Sequence, residues 1–260
     1  MGKIPTSIDM EIDMKKKKPF VVLATPAYGG QCYVTYALSC QQWASYNERA
    51  GNKWHTLYIF NEALIQRGRN KLVYDFLTIP GATHLFFVDA DISFNVPDYV
   101  KMLEADKDVV IGAYPKKRIR WDLVRDAALR GKQNLALHAN EYVVDFVDGK
   151  HLEGEISMDK VFEVEHGGTG CMLIKREVFE KLEPHLGKYR NSWAEEDKEY
   201  HINYFDVQVD PKNDLLLSED YYFCQKVREH GMKIWCAPWV ELGHTGTHQF
   251  KGCFVDPDYL

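Results

Sequence analysis

His84-Leu85-Phe86-Phe87-Val88-Asp89-Ala90-Asp91-Ile92-Ser93-Phe94 carries an apolar run from Leu85 that stops on an acid at Asp89. A buried parallel strand ends this way when its carboxyl edge faces a ligand crevice. Asp89 and Asp91 share a side. Two carboxylates so placed can hold one hard divalent cation, which keeps part of its water and takes substrate phosphates as further ligands. The pattern therefore points to a metal-diphosphate site. The alternative is a cap, with Asp91 or Ser93 as an N-cap or turn residue.

On the amino-terminal side, residues 20–24 form a β-rich apolar run broken by Thr25-Pro26-Ala27-Tyr28-Gly29-Gly30, which predicts a first strand and a crevice loop. Helical spacing follows over residues 32–49, ending near Gly51. Residues 56–60 read as a second strand, and 63–78 as a helix with Leu64, Leu72, Phe76 and Leu77 on one stripe, closed by Pro80-Gly81. Strand, helix, strand, helix, strand is the signature of a doubly wound α/β sheet with ligands beyond the carboxyl ends of its strands.

On the carboxy-terminal side, residues 97–105 read as a short helix with Pro97 in its first turn, and 109–113 as a strand. Residues 114–120 are a basic segment suited to a phosphate or to solvent. A helix over 121–130 and a strand over 142–147 are the expectations for the next stretch. Residues 161–164 lead into His166-Gly167-Gly168-Thr169-Gly170, whose glycines let backbone approach a ligand, and 171–174 are again a strand. Residues 183–214 are charged, aromatic and rich in breakers, as in a lid or an acceptor-binding excursion. Its rings at Tyr189, Trp193, Tyr200, Tyr204 and Phe205 could stack on sugars or bases. Ser218 is a plausible N-cap for a helix through His230, ended by Gly231, with Glu219 and Asp220 in its first turn. Residues 233–236 form the last strand, and 241–248 a glycine-punctuated loop.

The chain has 260 residues, 45% hydrophobic and 13% aromatic, enough for the core of one large α/β domain. A net charge of -6 and a pI near 5.9 exclude a nucleic-acid footprint over the surface as a whole. Residues 1–18 are polar and end in Lys15 to Lys18, a composition suited to a flexible arm ahead of a domain over 19–260. No apolar run reaches the ~18 residues of a membrane helix, and no signal core follows the basic start. A cytoplasmic chain is the expectation, in the host cytoplasm if the protein is viral. Cysteines at 32, 40, 171, 224, 236 and 253 lack metal spacing and read as reduced, mostly buried thiols.

The order of these features resembles the GT-A glycosyltransferases, in particular the compact nucleoside-diphosphate-sugar enzymes of bacteria, phages and large viruses. The resemblance covers about residues 20 to 250. It rests on the small polar loop after the first strand, Arg67-Gly68-Arg69-Asn70, Asp89-Ala90-Asp91, Gly167-Gly168-Thr169-Gly170, Ser218-Glu219-Asp220 and Gly243-His244-Thr245-Gly246. It implies a GT-A, Rossmann-like mixed sheet flanked by helices in a single domain. It further implies that Thr25, Pro26, Ala27 and Tyr28 line the nucleoside pocket and that Arg69, or Arg67, faces the base or diphosphate. Asp89 would serve the ribose or the metal, Asp91 and His244 would complete the shell of Mn2+ or Mg2+, and His244 matches better than His248. Gly168, Thr169 and Gly170 would lie near the donor sugar. Asp220, or Glu219 beside it, would take the proton of an acceptor hydroxyl. The helix start should lower the pKa of Asp220.

The activity implied is transfer of a sugar from a nucleoside diphosphate, UDP favoured, to a glycan, protein-linked sugar or modified nucleobase, with inversion at the anomeric carbon favoured over retention. A sugar nucleotidyltransferase shares such a sheet and acidic site, but would carry a glycine-rich phosphate loop with a nearby cation where this chain has residues 25–30. A non-catalytic nucleotide- or carbohydrate-binding protein of the same fold is the third possibility.

Overall fold

The computed structural model describes residues 18–147, 156–191 and 199–246 in full, and the backbone of 250–253. The arm, apart from Lys18, and the side chains of Trp193 and His248 lie outside the described residues. The elements before the crevice are β1 (Phe20–Pro26), α1 (Val34–Ala50), β2 (Lys53–Ile59), α2 (Ile65–Thr78) and β3 (His84–Val88). Next come β4 (Ile92–Ser93), α3 (Val96–Glu104), β5 (Val109–Ile111), α4 (Trp121–Leu129), β6 (Val144–Phe146), β7 (Phe162–Gly167) and β8 (Cys171–Lys175). The chain continues through α5 (Arg176–Leu182), β9 (Lys188–Tyr189), β10 (His201–Ile202), β11 (Gln208–Val209) and β12 (Leu216–Leu217). It closes with α6 (Glu219–Glu229), β13 (Ile234–Cys236), β14 (Glu241–His244) and β15 (Phe250–Cys253).

Eight strands form one sheet in the order β2-β1-β3-β8-β5-β13-β7-β6. β1 runs parallel to β2 and β3, and β5 parallel to β13, while β8 lies antiparallel between β3 and β5. The protein is therefore a Rossmann-like mixed α/β fold, its sheet flanked by helices. The chain leaves β1 toward β2 on one side and returns to β3 on the other, which opens a crevice beyond their carboxyl ends.

Alternation along the strands divides the core between two faces. Val22 and Ala24 of β1 and Leu85 and Phe87 of β3 pack with Leu72, Val73 and Phe76 of α2, Val178 and Phe179 of α5, and Phe223 and Val227 of α6. Val21, Leu23, Phe86 and Val88 pack instead with Tyr36 and Trp43 of α1 and Tyr99 and Met102 of α3. Burial on both faces explains why β1 and β3 read as unbroken apolar runs. α1 stops at Gly51, whose φ of +64 places its N–H on the carbonyls of Asn47 and Glu48.

Two expectations are corrected and one helix is added. Residues 183–214 are not wholly an excursion: Tyr204 and Phe205 are buried, with Phe205 against Phe87 (5.6 Å) and Phe223 (4.7 Å) and Tyr204 against Phe179 (5.2 Å). Asn70 fixes that segment, accepting from the Phe205 N–H (2.9 Å) and donating to its carbonyl (3.0 Å). α5 follows β8 with no intervening turn and was absent from the sequence reading. Residues 241–244, expected in a loop, form β14, which pairs with β4 and β15.

Candidate functional site

A cleft of about 670 Å³ opens at the carboxyl ends of β1 and β3, walled by Pro26, Ala27 and Tyr28 on one side and by Asp89, Asp91, Tyr114 and Asp220 on the other. Its acidic turn is pinned at several points. The Asp89 N–H reaches Gly170 O (3.1 Å), Ile92 N–H reaches Asp89 O (2.9 Å), Tyr33 N–H reaches Ala90 O (3.0 Å) and Thr245 N–H reaches Asp91 O (2.8 Å). Thr25 lies below the cleft instead of lining it. It is fully buried, and its hydroxyl donates to Val88 O (2.8 Å) and shares a hydrogen bond with Tyr36 Oη (2.6 Å).

Arg69 is the central cation. α2 carries it inward, leaving it 3% exposed and stacked 5.3 Å over Phe87. Its Nη2 donates to Asp89 (3.0 Å) and its Nε to Glu219 (3.1 Å), while its buried Nη1 has no hydrogen-bond partner. Burial disfavours the guanidinium charge, but Asp89 and Glu219 outweigh it and raise its pKa. Arg67, the alternate, is turned away and paired with Glu62 (2.6 Å).

Asp89 is thus held by Arg69, and the expected three-ligand metal set is not brought together. Asp91 and His244 do meet, because β14 aligns His244 with Ile92. His244 Nε2 stands 3.6 Å from Asp91 Oδ2, and its Nδ1 lies 2.7 Å from Pro115 O. A carbonyl only accepts, so Nδ1 carries a proton, and Nε2 is the ring nitrogen left to face the carboxylate. Lys117 also donates to Asp91 Oδ2. Burial pushes the Asp91 carboxyl up, but His244 and Lys117 together lower it.

Among the described residues no cluster of three or more His, Cys, Asp or Glu side chains is arranged to hold a metal ion. The donor chemistry at Asp91 and His244 nonetheless suits one: a carboxylate oxygen and an imidazole nitrogen stand 3.6 Å apart, with the Lys117 ammonium on the same oxygen. Two protein ligands with open sides suit a cation that keeps water or takes phosphate oxygens.

Asp220 begins α6. Ser218 occupies the N-cap position without a side-chain cap; its hydroxyl turns instead to Asp220, which also accepts from the Tyr221 N–H (2.9 Å). The expected lowering of the Asp220 pKa is reversed. Burial and the neighbouring Glu219 raise it, against the smaller pulls of Ser218 and Arg69. A carboxyl raised in this way is a stronger base whenever it is ionised. Glu219 is the less available of the two, since its carboxylate is bound by Arg69.

Gly168 and Gly170 serve a neighbouring ring. A Cβ on Gly168 would stand 2.0 Å from Tyr114 Oη, and one on Gly170 2.8 Å from the Tyr114 ring. These glycines seat Tyr114, whose ring walls the cleft and meets His244 edge-on at 5.3 Å. Burial raises the Tyr114 pKa strongly, so its hydroxyl stays protonated. Thr169 is 1% exposed, and its Oγ1 has no hydrogen-bond partner. Sequence reasoning missed Tyr114 as a wall, and with it Gln31, Cys32, Tyr33 and Ile65, which complete the cleft. Their common signal was position: Tyr114 follows β5, and Gln31 to Tyr33 follow β1, at the carboxyl edge of the sheet.

No family model matches the chain, and no curated protein matches it. Among solved structures, A197 from STIV is 18% identical, covering 87% of this chain and 86% of that one with a TM-score of 0.49. The inositol-1-phosphate CTP transferase from T. maritima is 12% identical over 94% of this chain and 91% of that one, with a TM-score of 0.38. A glycosyltransferase involved in glycosylation of the major capsid of PBCV-1 is 9% identical over 62% of each chain, with a TM-score of 0.32.

Proposed function

We propose that this chain is a glycosyltransferase that moves a sugar from a nucleoside diphosphate, UDP favoured, to an acceptor hydroxyl. The observation that carries the reading is the meeting, in one cleft at the carboxyl edge of the sheet, of a buried arginine, Asp91 with His244 beside it at 3.6 Å, and a carboxyl of raised pKa at Asp220. Cleavage of an anomeric carbon to phosphate bond gathers negative charge on the leaving diphosphate, and preformed positive charge lowers that barrier. A divalent cation bound at Asp91 and His244 would supply part of that charge and polarise the phosphate oxygens.

The remaining roles belong to the chain itself. Pro26, Ala27 and Tyr28 receive the nucleoside. Arg69 orients Asp89 and Glu219 through its hydrogen bonds, with Asp89 facing the ribose side of the cleft. Lys117 lies close enough to Asp91 to share the diphosphate charge. Asp220 takes the proton from the acceptor hydroxyl as that oxygen attacks, which suits direct displacement with inversion. The test is incubation with a panel of nucleotide sugars, manganese and a glycan array. Release of a nucleoside diphosphate matched by sugar on the array supports the reading, and pyrophosphate release from a nucleotide and a sugar phosphate would replace it with nucleotidyl transfer.

A further inference from the structure

The side chain of Lys117 stands where a cation would approach Asp91. Its ammonium donates to Oδ2, the same oxygen that faces His244 Nε2 across 3.6 Å. An ion bridging Asp91 and His244 must claim that oxygen, so ammonium and metal compete for one charge. The loop bearing Lys117 is tied down around it: Lys116 N–H reaches Glu141 O (2.7 Å), Lys116 Nζ reaches Glu141 Oε1 (2.6 Å) and Pro115 O holds His244 (2.7 Å). Lys117 itself is 38% exposed in its side chain. Its four-carbon stem can swing while the backbone stays, and a lysine is a mobile point charge well suited to phosphate.

We propose that Lys117 occupies the cation position on Asp91 in the empty protein and transfers to the diphosphate when the donor arrives, so that metal and nucleotide bind as a coupled pair. This rests on the metal-diphosphate reading of the cleft. Lys117 is then a positioning residue: it disfavours metal without nucleotide and rewards their joint presence, and by linkage the coupling is reciprocal. An exposed ion pair of this kind shifts an equilibrium by up to about fivefold.

The test is manganese binding to the full chain, followed by electron paramagnetic resonance, and UDP and GDP binding by calorimetry, for wild type, Lys117→Gln and Lys117→Arg. The proposal predicts that Lys117→Gln binds Mn2+ alone about two- to fivefold more tightly than wild type, binds metal-free nucleotide more weakly, and loses most of the coupling between the two. Lys117→Arg should restore the wild-type pattern. Simple structural damage would weaken metal binding, the opposite direction. Unchanged or weaker Mn2+ binding by Lys117→Gln overturns the proposal and leaves the metal site intact. Wild type that binds no Mn2+, with or without nucleotide, overturns the metal reading and the proposal with it.

Discussion

Replacing Asp220 by Asn separates catalysis from structure in one variant. The Asn Oδ1 can still accept from the Tyr221 N–H, which lies 2.9 Å from Asp220 Oδ1, and from the Ser218 hydroxyl, so the start of α6 loses no acceptor. Removing the charge also removes a cost. The folded carboxyl is raised by burial and by Glu219, so its ionisation opposes folding above the unfolded pKa. The variant should therefore melt at the same temperature as wild type or higher at pH 7. That advantage should vanish below about pH 4, where the unfolded carboxyl is protonated as well. Loss of a general base, by contrast, lowers the chemical step about 10²- to 10⁴-fold, roughly 3–5 kcal/mol of barrier. Single-turnover transfer from the donor found in the panel, with melts at both pH values and calorimetric nucleotide affinity, reads all three quantities. A variant that transfers sugar at the wild-type rate, or whose defect lies wholly in nucleotide affinity, refutes the assignment of Asp220 as base.

Other outcomes follow from the same geometry. Arg69→Met leaves Asp89 and Glu219 without their shared cation and should cost about 3–5 kcal/mol in a urea titration, whereas a loss within error would mean the arginine serves only the ligand. Gly168→Ala drives a Cβ into Tyr114 and should cost about 1–3 kcal/mol by thermal melt. Burial pushes the His84 imidazole down to about 4, with Lys175 adding to the shift. The folded state then binds fewer protons than the unfolded chain between roughly pH 4 and 6.5, so stability falls as pH drops through that window, and His84→Asn should flatten the slope by up to about one proton. Phe205→Ala should cost about 3–5 kcal/mol, as a core ring does, and a change near zero would return residues 204–205 to a surface excursion.

Much of the fold was legible because the strands that matter are buried on both faces. β1 and β3 have no solvent-facing positions to interrupt their apolar runs, and the first acid after β3 marks the end of burial. Gly51 and Gly231 were legible as helix stops because each takes positive φ there. What escaped depends on partners distant in sequence. β14 contains Gly243 and pairs with a two-residue strand, so local propensity gave no hint of it, although that pairing is what carries His244 to Asp91. Glycine at 168 and 170 announces close approach, but nothing local says that the approaching group is Tyr114. The expected pKa of Asp220 used the helix start alone. Burial and Glu219 outweigh that field, and burial is a property of the folded whole. Asp89 was matched to the ribose or the metal by its place in the motif, and nothing local announced that Arg69 of α2 would hold it.

The most direct test of the central claim is a thermal melt of the wild-type chain and of Asp91→Ala with a panel of nucleoside-diphosphate sugars, each with and without manganese. A donor present at about 100 times its dissociation constant should raise the wild-type melting temperature by about 5–10 °C. The account predicts that the shift grows with manganese in wild type and that Asp91→Ala, folded as before, loses the manganese-dependent part. A panel that shifts neither protein, or an Asp91→Ala variant that keeps the full manganese-dependent shift, would contradict it.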